Sequence, residues 1–350
     1  MIAEIPKQID FEAAAARIAR AKRVLVTTHA RADGDAVGSA LSMARIIRSL
    51  GKEATVYFHE PIPPRYVDLP NAATARVWPT NSPVAPVGVA PANSRCHTDD
   101  ALAWADLALV VDTCATAQLE SVAAALGKFN GPKLAIDHHV TRDPIVDEIL
   151  LDTGAGSCTQ IITSLCDAAG WIIDADIATL LFAGLATDTG WFRFSNADAA
   201  VYKTASRLID AGARPNELNE RLYNAEPEAR VRLMGAVMSS FELRAGGRLA
   251  VVRITGDMLR RCGANSKMTE EVINETHRVG TVVASAMFVE PESPEEPVRV
   301  SLRSKRDINV AAIARKFGGG GHERAAGLKV REAFSEVVQR VVAAMEQELS

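Results

Sequence analysis

Short apolar segments alternate with segments of helical periodicity through the first half of the chain. The pattern predicts four strands, at 24–28, 54–58, 107–111 and 134–136. It predicts helices at 36–50, 116–129, 157–169, 177–186 and 197–211, and continued helix over 214–244. Such alternation is typical of βαβ units, in which helices cover both faces of a mainly parallel sheet. We therefore predict an α/β fold.

Strand character begins again at residue 249, after the long helical stretch. The pattern predicts strands at 249–254, 279–289 and 298–303, a short helix at 309–316, a glycine loop at 317–322 and a closing helix at 334–349. A chain of 350 residues exceeds what one hydrophobic core usually serves. We predict a catalytic domain over 1–195, a helical connector over 196–245 and a smaller α/β domain over 246–350.

Two segments fall outside this alternation. Residues 1–23 are predicted to form an amphipathic helix and not a signal peptide, because charged residues interrupt every apolar run. Residues 60–100 are rich in proline and weakly periodic, which predicts a surface loop or an insertion.

Composition indicates a soluble protein of the cytoplasm. Hydrophobic residues make up 48% of the chain and charged residues 23%, and no apolar run is long enough to cross a bilayer. The five cysteines are scattered without a C-x-x-C pair, which argues against a disulfide framework and a structural zinc site. The net charge of −4 means that any binding of a polyanion depends on a local basic patch.

Carboxylates and imidazoles follow three of the predicted strands. These residues are His29, Asp33 and Asp35 after the first strand, Asp112 after the third, and Asp137, His138 and His139 after the fourth. Parallel topology brings the carboxyl ends of strands to one edge of the sheet, where ligands bind. Asp188 ends a predicted apolar helix, where a carboxylate opposes the helix dipole unless a cation compensates it.

Together these groups predict a site for two divalent metal ions. Carboxylate and imidazole ligands without thiolate favour Mn²⁺, with Mg²⁺, Co²⁺ or Fe²⁺ as alternatives. Two ions about 4 Å apart would activate a bridging water and bind the oxygens of a phosphoryl group. Taken singly, each residue has a simpler interpretation as a helix cap or a buried histidine, so the prediction depends on their combination.

A glycine run near the C-terminus lies in a basic segment. Between Arg299 and Arg324 there are seven lysines and arginines against two acids. This local charge suits nucleotide phosphates, although a flexible linker beside a solvated helix face would give the same pattern. Aromatic residues are only 5% of the chain, so we expect no extended base-stacking surface and weak discrimination among bases.

The spaced motifs resemble those of a known family. His29-x-x-x-Asp33-Gly34-Asp35, Val111-Asp112, Asp137-His138-His139 and Thr187-Asp188 resemble the four motifs of the DHH phosphoesterases. The run Gly-Gly-Gly-Gly-His-Glu-Arg-Ala-Ala-Gly at 318–327 is similar to the signature of the DHHA1 substrate-binding domain. The motifs occur in the family's order and cover nearly the whole chain.

The resemblance implies roles for individual residues. One ion would be bound by His29 and Asp33, the other by Asp35, His138 and Asp188, with Asp112 bridging the two. It also implies that His139 faces the scissile phosphate and that Asp137 orients a histidine. Substrate-binding residues implied in the second domain are Arg303, Gly318, Gly319, Gly320, Gly321, His322 and Arg324.

Length and domain order resemble the stand-alone members of the family. The resemblance implies a homodimer with its active site in the cleft between the domains. It implies Mn²⁺-dependent release of 5′-mononucleotides from very short RNA, and removal of the 3′-phosphate from adenosine 3′,5′-bisphosphate. Hydrolysis of cyclic di-AMP or its linear product, a pyrophosphatase or exopolyphosphatase activity, and a non-catalytic nucleotide-binding regulator remain alternatives.

Overall fold

A computed structural model gives the fold as two compact units, residues 1–225 and 226–350. The structure describes residues 5–78, 102–269, 272–293, 295–305 and 308–349, and of His322 the backbone alone.

The first unit contains a seven-stranded sheet whose paired strands are all parallel. Its strands are β1 (Lys7–Gln8), β2 (Arg23–Thr27), β3 (Glu53–Phe58), β4 (Arg76–Val77), β5 (Leu107–Val111), β6 (Lys133–Asp137) and β7 (Glu148–Leu151). Its helices are α1 (Phe11–Arg20), α2 (Gly34–Ser49), α3 (Thr116–Lys128), α4 (Cys158–Ala169), α5 (Ala175–Asp188), α6 (Ala199–Asp210) and α7 (Pro215–Tyr223). The predicted parallel α/β architecture is confirmed.

Alternate residues of the central strands enter two different cores. In β2, Val24 and Val26 pack into one apolar cluster and Leu25 into another. In β5, Leu109 belongs to the first cluster and Ala108 to the second. Because successive side chains of a strand point to opposite faces, the two clusters lie on the two faces of the sheet. Burial on both faces explains why these strands are continuous apolar runs.

The strand order reverses between β2 and β5. The order across the sheet is β1-β7-β6-β5-β2-β3-β4, so the chain leaves β2 toward one edge and later fills the other side from β5 onward. At such a switch point the loops after two neighbouring strands diverge and leave a crevice at their carboxyl ends. The loops after β2 and β5 carry His29 and Asp112, so the topology places these two residues at the crevice.

Helices α2 and α5 pack closely, and a glycine makes this possible. A Cβ atom on Gly38 would lie 2.5 Å from the carbonyl oxygen of Leu180 on α5. That distance is shorter than real Cβ contacts, and a backbone atom cannot swing aside. Gly38 therefore allows the close approach of the two helices. The predicted ligand Asp35 lies in the first turn of α2, and the predicted ligand Asp188 is the last residue of α5.

The structure differs from the predictions at several places in the first unit. The helix predicted over 1–23 is α1 alone, preceded by β1, because residues 7–9 hydrogen bond to β7. Strand β7 itself was not predicted. The described part of the 60–100 segment contains two 3₁₀ turns, Pro64–Tyr66 and Ala72–Thr74, and β4, which pairs with β3. The rest of that segment lies outside the described residues.

The second unit contains a mixed six-stranded sheet of order β12-β13-β11-β10-β9-β8. Its strands are β8 (Glu242–Arg244), β9 (Leu249–Ile254), β10 (Ala284–Val289), β11 (Val298–Ser304), β12 (Gly320–His322) and β13 (Ala325–Val330). Its helices are α8 (Glu228–Ser240), α9 (Gly256–Cys262), α10 (Val272–Glu275), α11 (Val310–Arg315) and α12 (Phe334–Glu348). One apolar cluster includes α11 and α12, and another includes α8, α9 and α10.

Several predictions for the second half need correction. The helix predicted over 214–244 is interrupted between α7 and α8, and β8 takes its last residues. The strand predicted over 279–289 begins at Ala284. The predicted glycine loop contributes Gly320 and Gly321 to β12, which pairs with β13, a strand that was not predicted. The domain limits at 195 and 245 stay predictions.

Two further observations concern the whole described chain. Within the ranges that the structure describes, no helix is both long and apolar enough to span a membrane. The described cysteines, Cys114, Cys158, Cys166 and Cys262, are all free.

We expect Gly38→Ala to destabilise the first unit by about 1–3 kcal/mol, because the added methyl group overpacks the α2–α5 contact. Gly127→Ala in α3 is the matched control, since a Cβ there would meet no atom within 4 Å. Removing a helical glycine without a clash should be neutral or stabilising by up to about 1 kcal/mol. Urea denaturation measures the free energy of unfolding of both variants. Equal changes in the two variants would contradict the packing argument.

Candidate metal centre

Asp112 lies at the centre of the site, directly after β5. Its backbone has φ of 61°, in the left-handed region that aspartate tolerates better than most residues, and its N–H donates to the carbonyl of Ile136 at 2.9 Å. Its Oδ2 is 3.5 Å from Nε2 of His29, and its Oδ1 is 3.5 Å from Nε2 of His138. The two oxygens of one carboxylate thus face two different histidines.

Three further carboxylates complete the two sides of the cluster. Oδ1 of Asp33 lies 3.9 Å from Nε2 of His29. Nε2 of His138 lies 4.0 Å from Oδ2 of Asp35 and 3.7 Å from Oδ2 of Asp188. The structure therefore brings together all six residues that the sequence predicted as metal ligands.

These separations fit shared coordination better than hydrogen bonding. Distances of 3.5–4.0 Å exceed those of good hydrogen bonds. Atoms bound to one ion at about 2.1 Å are about 3 Å apart when adjacent and about 4.2 Å apart when opposite. Oδ1 of Asp112 is also buried without a hydrogen bond of normal geometry from the described residues.

The candidate ligand atoms form three overlapping groups within the described residues. In each group the ligand atoms lie within 4.8 Å of one another. The groups are His29, Asp33 and Asp112; Asp35, His138 and Asp188; and Asp112, His138 and His139. The donor set of carboxylate oxygens and imidazole nitrogens suits a divalent transition metal ion.

Asp35 is held by the first turn of α4. Its Oδ2 accepts from the N–H of Cys158 at 2.6 Å, and its Oδ1 accepts from the N–H and the hydroxyl of Thr159 at 3.0 and 2.8 Å. Free N–H groups at a helix N-terminus bind anions, so α4 fixes this carboxylate in place. These partners are more than 120 residues away in sequence, and the sequence did not indicate them.

The other carboxylates are positioned by α2 and α5. Asp33 is the N-cap of α2, and its Oδ1 accepts from the N–H groups of Asp35 and Ala36, both at 3.1 Å. Asp188 is the last residue of α5, where it lies at the negative end of the helix. The same side chain that caps one helix therefore also faces His29, so the helix-cap and ligand interpretations of Asp33 are compatible.

His139 is oriented by Asp137. Oδ1 of Asp137 accepts from Nδ1 of His139 at 2.8 Å, and also from the backbone N–H groups of His138 and His139. The side chain of Asp137 is fully buried, whereas that of His139 is 46% exposed. This arrangement holds Nδ1 of His139 toward the sheet and leaves Nε2 as the nitrogen available to a substrate.

Burial and mutual repulsion shift the pKa values of the cluster. Burial raises the pKa of Asp35 well above its usual range, and the charges of Asp112 and Asp188 raise it further. Burial likewise raises the pKa of Asp188 to about 6, with Asp112 adding to the effect. Burial opposes protonation of His138, but Asp112 and Asp35 outweigh it and raise the pKa to about 10. Without a cation, the cluster retains protons.

One feature beside the cluster was not predicted from the sequence. Gly190, Trp191 and Phe192, which follow Asp188 closely, have φ of 58°, 58° and 62°. Bulky residues rarely adopt this conformation, and it is maintained here by packing. Trp191 packs against Phe182 and Tyr223, and Phe192 against Phe182 and Tyr202. Of these three residues, only Gly190 is of a type that indicates a turn in the sequence.

The predicted substrate-binding residues lie in the second unit. Arg303 in β11 pairs with Ala325 in β13, which in turn pairs with His322 in β12, so backbone register aligns these three positions. Gly318, with φ of 76°, lies in the turn after α11, and its N–H donates to the carbonyl oxygen of Arg315 at 3.1 Å. A Cβ on Gly321 would lie 2.5 Å from the carbonyl oxygen of Ala325, so this glycine serves strand packing.

The remaining members of that set differ in their surroundings. A Cβ on Gly319 would lie 2.4 Å from the carbonyl oxygen of Gly327, whereas one on Gly320 would meet nothing within 4 Å. Arg324 is exposed just before β13. A Cβ on Gly318 would also meet nothing within 4 Å, so Gly318 and Gly320 are the members of the run beside which space is open.

Comparison with known proteins identifies the family. Residues 23–185 match the DHH family, N-terminal domain, and residues 246–350 match the DHHA1 domain. The chain is 30% identical over 329 residues to the bifunctional oligoribonuclease and PAP phosphatase NrnA of Thermus thermophilus, which covers 93% of this chain and 90% of that protein. The chain belongs to the DHH family and carries a DHHA1 domain.

Solved structures share the fold. An exopolyphosphatase-related protein from Bacteroides fragilis superposes with a TM-score of 0.85 at 22% identity, covering 97% of this chain and 95% of that one. The exonuclease RecJ bound to manganese gives a TM-score of 0.53 at 15% identity, covering 96% and 94% of the two chains. Both similarities concern the fold.

We expect Mn²⁺ binding to release protons and to strengthen as the pH rises. A metal ligand must be deprotonated, and the raised pKa of His138, about 10, means that this imidazole holds a proton at neutral pH in the metal-free protein. Calorimetry in buffers of different ionisation enthalpy should therefore show about one proton or more released per cluster near pH 7. An affinity that does not change between about pH 6 and pH 8 would contradict binding at this cluster.

Proposed function

We propose that the chain is a Mn²⁺-dependent phosphoesterase that uses two divalent ions. The observation that carries the proposal is the position of Asp112, whose two carboxylate oxygens face His29 on one side and His138 on the other. A carboxylate that faces both ligand groups could hold two ions close together, as two-metal hydrolysis of phosphate esters needs. Mn²⁺ is the favoured ion because the donors mix imidazole with carboxylate and include no thiolate.

The ligands divide between the two ions around this carboxylate. His29 and Asp33 would hold one ion with Oδ2 of Asp112. Asp35, His138 and Asp188 would hold the other with Oδ1 of Asp112. Bound divalent ions supply a hydroxide at neutral pH and neutralise charge on the phosphoryl oxygens.

His139 and Asp137 are proposed to act on the substrate phosphate without binding a metal ion. The hydrogen bond that Nδ1 of His139 donates to Asp137 raises the pKa of His139, against the opposing effect of burial. A protonated, half-exposed imidazole beside the cluster can donate a hydrogen bond to a phosphoryl oxygen and stabilise the charge that develops there. Asp137 acts through His139 by fixing its orientation and its charge.

We assign very short oligoribonucleotides and adenosine 3′,5′-bisphosphate as substrates. The Thermus thermophilus relative, which this chain matches over nearly its whole length, is named for these two activities. The DHHA1 domain, with Arg303 and the open backbone at Gly320, offers the surface for a nucleotide. The free cysteines fit an enzyme of the reducing cytoplasm. The homodimer stays a prediction.

We expect Asp112→Asn to lower kcat/KM by about 100-fold or more with Mn²⁺ present, because one ligand serves both ions. Burial opposes the charge of Asp112, but His138 and His29 outweigh it and lower the pKa of this carboxyl, so near-ultraviolet circular dichroism checks that the metal-free variant stays folded. Asp176→Asn is the matched control: it is a half-exposed acid at the other end of α5, paired with Arg45. Mononucleotide release from a dinucleotide and phosphate release from adenosine 3′,5′-bisphosphate measure the activity of both variants.

A substrate panel separates this activity from the alternatives. Dinucleotides, longer RNA, adenosine 3′,5′-bisphosphate, linear and cyclic di-AMP and pyrophosphate are compared at equal concentration. Turnover of dinucleotides and of the bisphosphate above the others is the expected result. Turnover of pyrophosphate alone, or unchanged hydrolysis by Asp112→Asn, would refute the proposal.

We expect Asp137→Asn to move the alkaline limb of the pH–rate profile to lower pH. The aspartate raises the pKa of His139, so its neutral replacement lowers that pKa, and the protonated form that stabilises the phosphate is lost earlier as the pH rises. Asparagine keeps an oxygen for the backbone N–H groups, which preserves the loop. The measurement is kcat/KM against pH at saturating Mn²⁺. An unchanged limb would exclude a role for protonated His139.

A further inference from the structure

The carboxylate of Asp35 has most of its acceptor positions filled by the chain itself. An ionised carboxylate offers about four lone pairs on its two oxygens. Oδ1 accepts from both the N–H and the hydroxyl of Thr159, and Oδ2 accepts from the N–H of Cys158. Both lone pairs of Oδ1 are therefore used, and one position remains on Oδ2.

The free position faces the other ligands of the same group. Oδ2 lies 4.0 Å from Nε2 of His138, and Asp35, His138 and Asp188 form one of the candidate ligand groups. Helix α5 encloses Oδ1 from another side, since a Cβ on Gly184 would lie 2.7 Å from this atom. Asp35 can therefore present one oxygen to an ion, and not two.

The hydroxyl of Thr159 receives a hydrogen bond of its own from Ser157. Oγ of Ser157 and Oγ1 of Thr159 are 2.8 Å apart, and both residues are fully buried. A hydroxyl has one hydrogen, and that of Thr159 is used for Asp35, because an ionised carboxylate can only accept. Ser157 is therefore the donor to Thr159.

Ser157 is in turn fixed as the N-cap of α4. Its Oγ accepts from the N–H of Gln160 at 3.0 Å, and Oε1 of Gln160 accepts from the N–H of Gly156 at 2.7 Å. Successive hydrogen bonds therefore run in one direction, from the N-cap through Thr159 to Oδ1 of Asp35. Bonds aligned in this way polarise one another, which strengthens the bond that reaches the carboxylate.

Divalent ions differ in how they use a carboxylate. Ca²⁺ takes about six to eight oxygen ligands in a flexible geometry and often binds a carboxylate through both of its oxygens. Mn²⁺ is typically octahedral and also accepts imidazole nitrogen, which His138 supplies here. A carboxylate that offers a single oxygen therefore suits Mn²⁺ better than Ca²⁺.

We propose that Thr159, supported by Ser157, sets the metal preference of this ligand group by restricting Asp35 to one oxygen. The restriction favours Mn²⁺ over Ca²⁺. The presence of the ions rests on the proposed function, whereas the restriction follows from hydrogen bonds within the chain. Thr159 is a positioning residue, since it acts on the ion through Asp35.

The test compares Mn²⁺ with Ca²⁺ on the full chain without substrate. Calorimetry measures both affinities for the unmodified protein and for Thr159→Val, which removes the hydroxyl and keeps the branched shape. We expect one Mn²⁺ dissociation constant to rise about tenfold, a usual effect of losing a group that orients a metal ligand. The Ca²⁺ affinity should stay equal or increase, because Oδ1 becomes free to bind. Thr159→Ser keeps the hydroxyl and should restore the preference for Mn²⁺.

Thr163→Val is the matched control. It removes a buried hydroxyl from the next turn of α4, where that group donates to the carbonyl oxygen of Thr159 at 2.8 Å. It should leave both affinities unchanged. An equal weakening of both ions by Thr159→Val would overturn the proposal, as would an unchanged Mn²⁺ affinity. If the valine variant does not fold, as judged by near-ultraviolet circular dichroism, Thr159→Ala replaces it.

Leaving out the substrate separates this proposal from the enzymatic one. An inactive protein whose preference for Mn²⁺ over Ca²⁺ still depends on Thr159 refutes the proposed activity and supports the role of Thr159. An active enzyme whose preference does not change in Thr159→Val supports the activity and overturns that role.

Discussion

Repulsion among four carboxylates is the constraint on which the first unit depends. Asp33, Asp35, Asp112 and Asp188 reach one crevice from different elements, and burial there disfavours their charged forms. The chain compensates in part with two imidazoles and with the N–H groups at the start of α4. In the metal-free protein, bound protons neutralise the remaining negative charge, and divalent cations can replace these protons. The electrostatic repulsion among the carboxylates is thus the source of metal affinity.

Much of this centre could be predicted from the sequence because its residues follow strands. A buried parallel strand is a recognisable apolar run, and its carboxyl end is the place where ligands bind. Asp112 was identified in this way although nothing near it in sequence suggests chemistry. The strand order adds the physical reason: β2 and β5 are neighbours across the switch point, so His29 and Asp112 meet without any local signal.

Other features depend on contacts that a sequence pattern does not express. The short edge strand β1 has two residues and gains its conformation from pairing with β7. Asp35 acquires its partners from α4 only after folding, and the left-handed turn at Trp191 is stabilised by aromatic packing. The glycines at 318–321 suggested a flexible loop, yet Gly321 lies against the backbone of β13. In each case tertiary packing overrides a local preference.

The basic segment of the second unit shows why counting charges is a weak guide to binding. Arg299 donates to the carbonyl oxygen of Ser266 and the hydroxyl of Thr269, and Lys305 donates to the carbonyl of His277. These contacts fix the side chains before any ligand arrives, so the entropy cost of holding them has already been met during folding. The partners in these hydrogen bonds are neutral, although the carboxylate of Glu292 lies close enough to Arg299 for their charges to interact. A fixed cation therefore contributes more to phosphate recognition than a mobile one of equal charge, and position matters more than number.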